Sequence, residues 1–291
     1  MEIRPCSTAA PDLGRHSALL ATCFPAATHL DEPYLRWLYA GNPEGEVIGM
    51  DAWSEGSMVA HYACVPARAR VRGTERRVLL SLNTATHPSH RGRGLFTRLA
   101  EATFRVAHER GFHAVYGVAN AQSTPGFVRN LGFALLSPLD ARIGFGDIDL
   151  SLTRDSQESP SFHREWSAES LRWRGGNPHR PFQWHRPRPG TLAASAATRR
   201  FGIRAWAELP YPPRGEGLQA DASIVTTPVP RAPRLHLGLR PRRAAPSRGP
   251  WLDVPKSLRP SPLNLIYRPL TGDPLPEPDA IFFDFLDFDA Y

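Results

Sequence analysis

The stretch from Val78 to Val106 constrains the fold of this chain more than any other. Val78 to Leu82 is an apolar run that reads as a strand. It empties through Asn83-Thr84-Ala85-Thr86-His87-Pro88-Ser89-His90 into the glycine-laced basic loop Arg91-Gly92-Arg93-Gly94. A segment with Leu95, Leu99, Ala102 and Val106 on one helical face follows at once. Strand, glycine loop and helix in that order make an α/β unit with an anion cradle at the loop. The first N–H groups of a helix have no intrahelical partner, and the helix dipole adds positive character there. Gly92 and Gly94 let the backbone approach a diphosphate, and Arg91 and Arg93 supply charge-assisted hydrogen bonds.

The spacing excludes two common phosphate loops. A Walker loop ends in Gly-Lys-Ser/Thr and a dinucleotide fingerprint reads GxGxxG; neither stands here. The hexapeptide Arg91-x-x-Gly94-x-Phe96 resembles the Arg/Gln-x-x-Gly-x-Gly/Ala signature of the GNAT superfamily of acyl-CoA-dependent N-acyltransferases. Some thirty residues on, Asn120-Ala121-Gln122-Ser123-Thr124-Pro125-Gly126-Phe127-Val128-Arg129-Asn130-Leu131-Gly132-Phe133 resembles the second motif of that family, an Asn-led turn before a helix ending in Leu-Gly-Phe.

Composition narrows the partners. The 291 residues suffice for two modest domains, and 41% hydrophobic content can fill their cores. No apolar run is long enough to cross a membrane as a helix, and the first residues carry no export leader, so a cytoplasmic protein without membrane partners is expected. Cys6, Cys23 and Cys64 lack metal-ligand spacing and read as reduced thiols; no metal is expected. The net charge is +7, yet of the 35 basic residues only Lys256 is a lysine, and the arginines are scattered. That pattern suits small anionic ligands better than nucleic acid.

Along the first half the pattern alternates: a strand at Met1–Cys6, a helix at Leu13–Phe24, and a second helix opened by Glu32-Pro33 that ends at Gly41-Asn42-Pro43. Strands follow at 47–53, 58–70 and 75–86, joined at Glu55-Gly56 and Arg72-Gly73. After the loop and its helix come a strand at 114–119, a helix near 125–131 and a strand at 133–136. This is the GNAT order. Residues 150–165 read as a polar linker. Beyond it, Leu35-Arg36-Trp37-Leu38-Tyr39-Ala40-Gly41-Asn42-Pro43 is echoed by Leu171-Arg172-Trp173-Arg174-Gly175-Gly176-Asn177-Pro178, which argues for a duplicated unit. The expected fold class is therefore α/β: a GNAT domain at 1–149, with a mixed, splayed central sheet and flanking helices, followed by a degenerate GNAT-like half at 166–291. Strand-like runs stand at 191–196, 201–209, 223–229 and 280–285, and Pro228–Pro250 reads as mobile surface loops. Trp37 and Trp173 are expected as core anchors of their helices. The alternating Phe282-Phe283-Asp284-Phe285-Leu286-Asp287-Phe288-Asp289 is expected as a final edge strand, with Asp287 or Asp289 as possible walls of the acceptor cleft.

The resemblance implies the chemistry. It places Thr84, Ala85 and Thr86 against the pantetheine arm of acetyl-CoA or another acyl-CoA, and Arg91, Gly92, Arg93, Gly94, Leu95 and Phe96 around its diphosphate. Asn120 and Ser123 belong to the same coenzyme site through the second motif. Backbone N–H groups along this strand would also serve the oxyanion. Phe96 stands where the family has a small residue, so altered packing is expected there. Val128 stands where many members have a tyrosine acid, which leaves the thiolate to another proton donor or to water. For the base, His61, Asn83 (through a positioned water) and His87 are open; ahead of that role His61 reads as a half-buried strand residue and His87 as an exposed turn. Asn120 either orients a reactant or caps the next helix. A tandem pair of this kind resembles bacterial acyltransferases that act on amino sugars carried on nucleotides, implying a small-molecule amine acceptor and a monomer or homodimer. Rival readings are an aminoacyl-tRNA-dependent tandem transferase, against which the intact loop speaks, and a non-catalytic acyl-CoA sensor.

Overall fold

The computed structural model describes residues 1–146, 148, 160–209, 224–241, 250–259 and 261–288. Its first half opens with strand β1 (Glu2–Pro5), helix α1 (Ala10–Cys23) and the short helix α2 (Glu32–Leu35), which runs on as a π-helical turn over Arg36–Ala40. Asp31 caps α2 by accepting from the Tyr34 N–H, and Pro33 sits where its missing N–H costs nothing. Strands β2 (Ile48–Ser54), β3 (Ser57–Val71) and β4 (Thr74–Thr86) then form an antiparallel meander. Both of its turns were marked by the sequence. Glu55, Gly56, Arg72 and Gly73 all have positive φ, the backbone that matches a two-residue hairpin to the twist of its strands.

Helix α3 (Leu95–Glu109) crosses to strand β5 (Ala114–Ala119), which lies parallel to β4. Its buried face is Leu95, Leu99, Ala100, Thr103, Phe104 and Ala107, with Ala102 and Val106 at the margin. The expected stripe is thus rotated by one position, because Phe104 is the largest side chain available to fill the space under the sheet. Helix α4 (Thr124–Leu131) and strand β6 (Ala134–Pro138) follow. The two faces of the sheet are packed separately: α1, α2 and the π turn bury Leu13, Leu20, Tyr34 and Tyr39 against Ala63, Val65 and Ala85. On the opposite face α3 and α4 bury Leu99, Phe104 and Phe127 against Tyr62, Cys64 and Leu79, as the period-two alternation of β3 and β4 requires.

Strand β7 (Asp140–Gly144) ends the first half; the second contains β8 (Phe162–Arg164), α5 (Ala168–Gly175), β9 (Gln183–His185), β10 (Ala193–Ala197), β11 (Arg204–Glu208), β12 (Arg234–Gly238), β13 (Trp251–Asp253) and β14 (Asn264–Pro269). The first sheet has the order β1-β2-β3-β4-β5-β14-β6, with β8 added to β3; the second has β9-β10-β11-β12-β7-β13. The two orders correspond. In each, an antiparallel meander (β2-β3-β4 or β9-β10-β11) is followed by a parallel neighbour (β5 or β12), then an antiparallel strand, then an outer one. The inserted strand comes each time from the other half: β14 enters between β5 and β6, and β7 pairs with β12 and β13.

The splayed mixed sheet and the sheet-rich second half expected from the sequence are both present. The strand pairing does not stop at residues 149 and 166, because β7 and β14 cross that line in opposite directions. One apolar cluster accordingly runs through both halves, from Val78 and Tyr116 to Trp184, Phe283 and Phe285.

Four expectations need correction. Most of the linker lies outside the described residues, but Phe162–Arg164 at its end is buried strand, paired with Ala69–Val71 of β3. Pro228–Pro250 holds β12, whose Leu235 and Leu237 were masked in the sequence by surrounding proline and arginine. The segment at 282–288 is no edge strand. Ile281 and Phe283 make single bridges, Phe285–Asp287 is a 3-10 turn, and Asp287 is buried with its N–H bonded to Asp284 rather than facing a cleft; Asp289 lies outside the described residues. Trp37 and Trp173 are half-buried and stack on each other with ring centroids 5.2 Å apart. Each indole N–H donates to the carbonyl of the other, at 2.7 and 2.9 Å. Reciprocal contacts of this kind mark a two-fold relation, so the sequence echo is a packing element between the halves.

Candidate active site

Strand β4 pairs with β5 only from Val78↔Ala114 to Ser81↔Gly117. Beyond that point β4 continues to Thr86 beside β3, while β5 runs on to Ala119 held on its other edge by β14, so the two strands part and leave a wedge. At the mouth of the wedge the β3–β4 register slips between His61 and Ala63, because Asn83 adopts φ +50 and forms a bulge. Asparagine tolerates this left-handed backbone better than most residues.

Thr84, Ala85 and Thr86 line the wedge from β4; the Ala85 methyl is buried toward α1 and α2. After a 3-10 turn at Pro88–His90 the chain enters the glycine loop. Gly92 and Gly94 have φ +74 and +68, and a β-carbon on either would meet nothing within 4 Å. Gly94 is the N-cap of α3 and brings no side chain to satisfy the first N–H groups of the helix. Arg91 and Arg93 are exposed beside it, held by long bonds to the Thr86 and Ser89 carbonyls. The result is an exposed stretch of main chain at the start of α3, flanked by two cations and with open space where side chains would stand. Leu95 is core, and Phe96 turns inward onto Tyr62 and Phe127, so the bulky residue at the sixth motif position packs without filling the loop.

Asn120 and Ser123 form the turn into α4. Asn120 Oδ1 accepts from the N–H groups of Gln122 and Ser123, and Ser123 Oγ accepts from the Asn120 N–H. This occupies the Asn120 carbonyl oxygen as a capping group. Val128 is on the exposed face of α4 and offers no proton. His87 is a turn residue whose imidazole bonds Ser89.

His61 is fully buried and bonded on both nitrogens. It stands opposite Asp51 across β2 and β3, which puts both side chains on one face. Its Nδ1 lies 2.6 Å from Asp51 Oδ1, and its Nε2 lies 2.8 Å from the hydroxyl of Tyr39 on the π turn. Asn83 Nδ2 donates to that hydroxyl at 3.1 Å. On the far side His16 Nε2 of α1 bonds Asp51 Oδ2 at 2.9 Å, with Cys6 Sγ 3.6 Å from the same nitrogen.

Burial pushes the Asp51 carboxyl up, but the two imidazoles outweigh it and hold the carboxyl at about 2. Burial lowers His61 in spite of the carboxylate, and it raises the Tyr39 hydroxyl and the Cys6 thiol well above their ordinary values. The consistent state is an ionised Asp51 accepting from His61 Nδ1 and His16 Nε2. Cys6, His16, Asp51 and His61 bring donor atoms within 4.8 Å of one another. The carboxylate–imidazole spacings are those of hydrogen bonds, shorter than the roughly 3.3 Å that separates nitrogen and oxygen ligands around a tetrahedral zinc.

Of the proposed catalytic residues, the structure brings His61 and Asn83 together and leaves Asn120 on the other side of the wedge. Tyr39, Asp51 and His16 escaped the sequence reading. An acid inside the apolar run Val47–Trp53 was the available signal for Asp51; Tyr39 was hidden because a π turn breaks the helical period that would place it.

Residues 7–136 match the family model described as an acetyltransferase (GNAT) domain. No curated protein matches the chain. Solved structures of similar fold include Eis1 from Mycobacterium abscessus (TM-score 0.54, 10% identity, covering 93% of this chain and 74% of that one). A GCN5-related N-acetyltransferase from Anabaena variabilis ATCC 29413 aligns with TM-score 0.53 and 13% identity over 93% of this chain and 73% of its own. A conserved protein from Enterococcus faecalis V583 aligns with TM-score 0.54 and 10% identity over 92% and 72%. At such identities the likeness is one of fold, and it spans both halves. Family match, strand order and glycine loop agree that residues 7–136 form a GNAT-type acyltransferase domain.

Proposed function

We propose that this protein transfers an acetyl or other short acyl group from acyl-CoA to a primary amine, directly and within a ternary complex. One observation carries the reading: two left-handed glycines with open space where a side chain would stand, at the uncapped start of α3, where β4 parts from β5. Residues 91–96 hold the diphosphate by backbone N–H groups and the two arginines. Thr84, Ala85 and Thr86 run beside the pantetheine arm and present main-chain donors to the oxyanion. Asn83 faces the reacting centre, His61 serves it from within, and Asn120 with Ser123 closes the coenzyme site through the turn they build. No step forms a covalent enzyme intermediate.

The acceptor in this reading is an amino group on a nucleotide-linked sugar, bound toward the second half; the net charge of +7 supports an anionic acceptor. A cytoplasmic monomer or homodimer without nucleic-acid or membrane partners completes it. The test is calorimetry with coenzyme A, followed by thiol release from acetyl-CoA and longer acyl-CoAs over a panel of amines. Release with nucleotide amino sugars supports the full reading. Release only with other amines removes the acceptor assignment, and coenzyme binding without turnover on any amine makes the protein a sensor.

A further inference from the structure

The chain Asn83–Tyr39–His61–Asp51, buried except at its Asn83 end, has a direction. An ionised carboxylate only accepts, so Asp51 fixes His61 with its proton on Nδ1 and leaves Nε2 as the acceptor. The Tyr39 hydroxyl must then donate to Nε2, and its oxygen is free to accept from Asn83 Nδ2. An aspartate orients an imidazole, which draws on a hydroxyl, which takes an N–H donor: this is the logic of a nucleophile triad with a tyrosine in place of the serine. Asn83 is the half-buried member, at the bulge where the wedge opens. At the other end Asp51 also lines a pocket of ≈ 380 Å³ together with Arg4, Ser7, Asp12, Arg15 and Trp53. That pocket opens beside β1 and α1, away from the wedge.

Resting on the acyl-transfer reading, we propose that Tyr39, His61 and Asp51 form a proton relay that takes the acceptor ammonium proton inward from the wedge and releases it to the Asp51 pocket. Asn83 Nδ2 holds the donor position that the ammonium N–H occupies when it displaces the amide. The ammonium then gives one proton to the Tyr39 oxygen as the Tyr39 hydroxyl proton passes to His61 Nε2, so no tyrosinate accumulates. The imidazolium that results passes its Nδ1 proton to Asp51 Oδ1, and the carboxyl yields it to solvent in the pocket that Asp51 lines, which returns His61 and Asp51 to their starting forms. The freed amine lone pair attacks the thioester carbonyl. The balance closes, because an ammonium and a thioester yield an amide, a thiol and one proton, and that proton is the one the relay exports. Tyr39 is the catalytic residue here; His61 and Asp51 carry the proton on, and Asp51 also fixes the imidazole tautomer.

The test pairs activity with a readout independent of it. Tyr39→Phe keeps the ring and the packing. It should lower kcat by at least about 100-fold on an alkylamine acceptor while leaving KM for acyl-CoA unchanged. With an acceptor amine already neutral at the assay pH, the same variant should come within a few-fold of wild type. An equal loss on both amines, or no loss on the alkylamine, overturns the relay. Proton NMR of the intact chain should show a far-downfield imidazole N–H that persists in Tyr39→Phe and vanishes in both Asp51→Asn and His61→Gln. Its absence from wild type, or stoichiometric zinc in the purified protein, overturns the proposal even where turnover is found. The resonance present without turnover on any amine leaves the hydrogen-bonded network standing and refutes the acyl-transfer reading on which the relay depends.

Discussion

The two halves of this molecule share a strand order and differ in what that order is used for. In the first, β4 and β5 separate after four paired residues and a glycine loop sits at the gap; in the second, the parallel pair β11 and β12 is short, and the sequence Arg214-Gly215-Glu216-Gly217 that follows β11 carries an acid where the first loop carries Arg93. The second half spends its surface on contact. It sends β14 into the first sheet, lays β8 on β3, and stacks Trp173 on Trp37. A duplicated unit that no longer needs a coenzyme site is free to become scaffold, and the exchanged strands make the arrangement mutual.

The strongest way to break that view is to remove the exchanged strand. Leu265, Ile266 and Tyr267 of β14 are each almost wholly buried, and together they contribute on the order of 6 kcal/mol at about 2 kcal/mol per side chain. Most of the stability of a domain of this size is about that large. A chain stopped after Ser261 should show no cooperative unfolding by circular dichroism; a sharp transition would mean that the first half folds without its partner.

Next in size is the loop itself. Gly94→Val places a β-carbon on left-handed backbone, at about 1–2 kcal/mol, and in the proposed coenzyme complex displaces the main chain from the diphosphate. Losing two charge-assisted bonds of about 1.5 kcal/mol each should weaken coenzyme A binding by roughly 100-fold. The matched change in the other half is Gly202→Val, with φ +78 and equally open surroundings. Calorimetry should find it as strained as Gly94→Val and as tight for coenzyme A as wild type. Weaker binding there would end the division of labour.

The tryptophan pair gives a smaller effect. Trp37→Ala or Trp173→Ala should each cost about 3 kcal/mol, toward the lower end for a large aromatic because both rings are half-buried. The double variant should fall short of the sum by about 1 kcal/mol, the coupling of a stacked pair. Full additivity in denaturant unfolding would mean that the rings do not hold the halves together.

These contrasts also show where the sequence was legible. Every helix and strand of residues 1–136 was readable, since turn pairs such as Arg72-Gly73 and the apolar period of α3 act locally. The glycine loop was readable for the same reason: glycine, charge and helix start are contiguous. The strand exchange was not, because β7 and β14 carry ordinary alternation and nothing in it names partners 90 or more residues away. The relay was half legible. His61 stood out as a titratable residue in a strand, but Asp51 and Tyr39 come from two other elements, and only the sheet register and the π turn bring them to one imidazole.

The weakest link between the halves is electrostatic and can be read by pH. Glu165, just after β8, accepts from Arg70 of β3 at 2.8 Å, and its side chain is 9% exposed. His163, foremost, and then Arg70 hold the carboxyl down at about 2 from an ordinary 4.5. A carboxyl lowered by folding stabilises the folded state above its unfolded pKa and loses that contribution as the pH falls through its folded one. With Arg70 partly in solvent, the contribution is about 2 kcal/mol at neutral pH. Glu165→Gln should therefore be less stable than wild type by about that amount from pH 7 down to about 4.5, and the gap should close on acidification toward pH 2. A gap that stays constant with pH would assign the loss to packing of β8 rather than to the ion pair, and the second half would then be joined to β3 by its strand hydrogen bonds and apolar core alone.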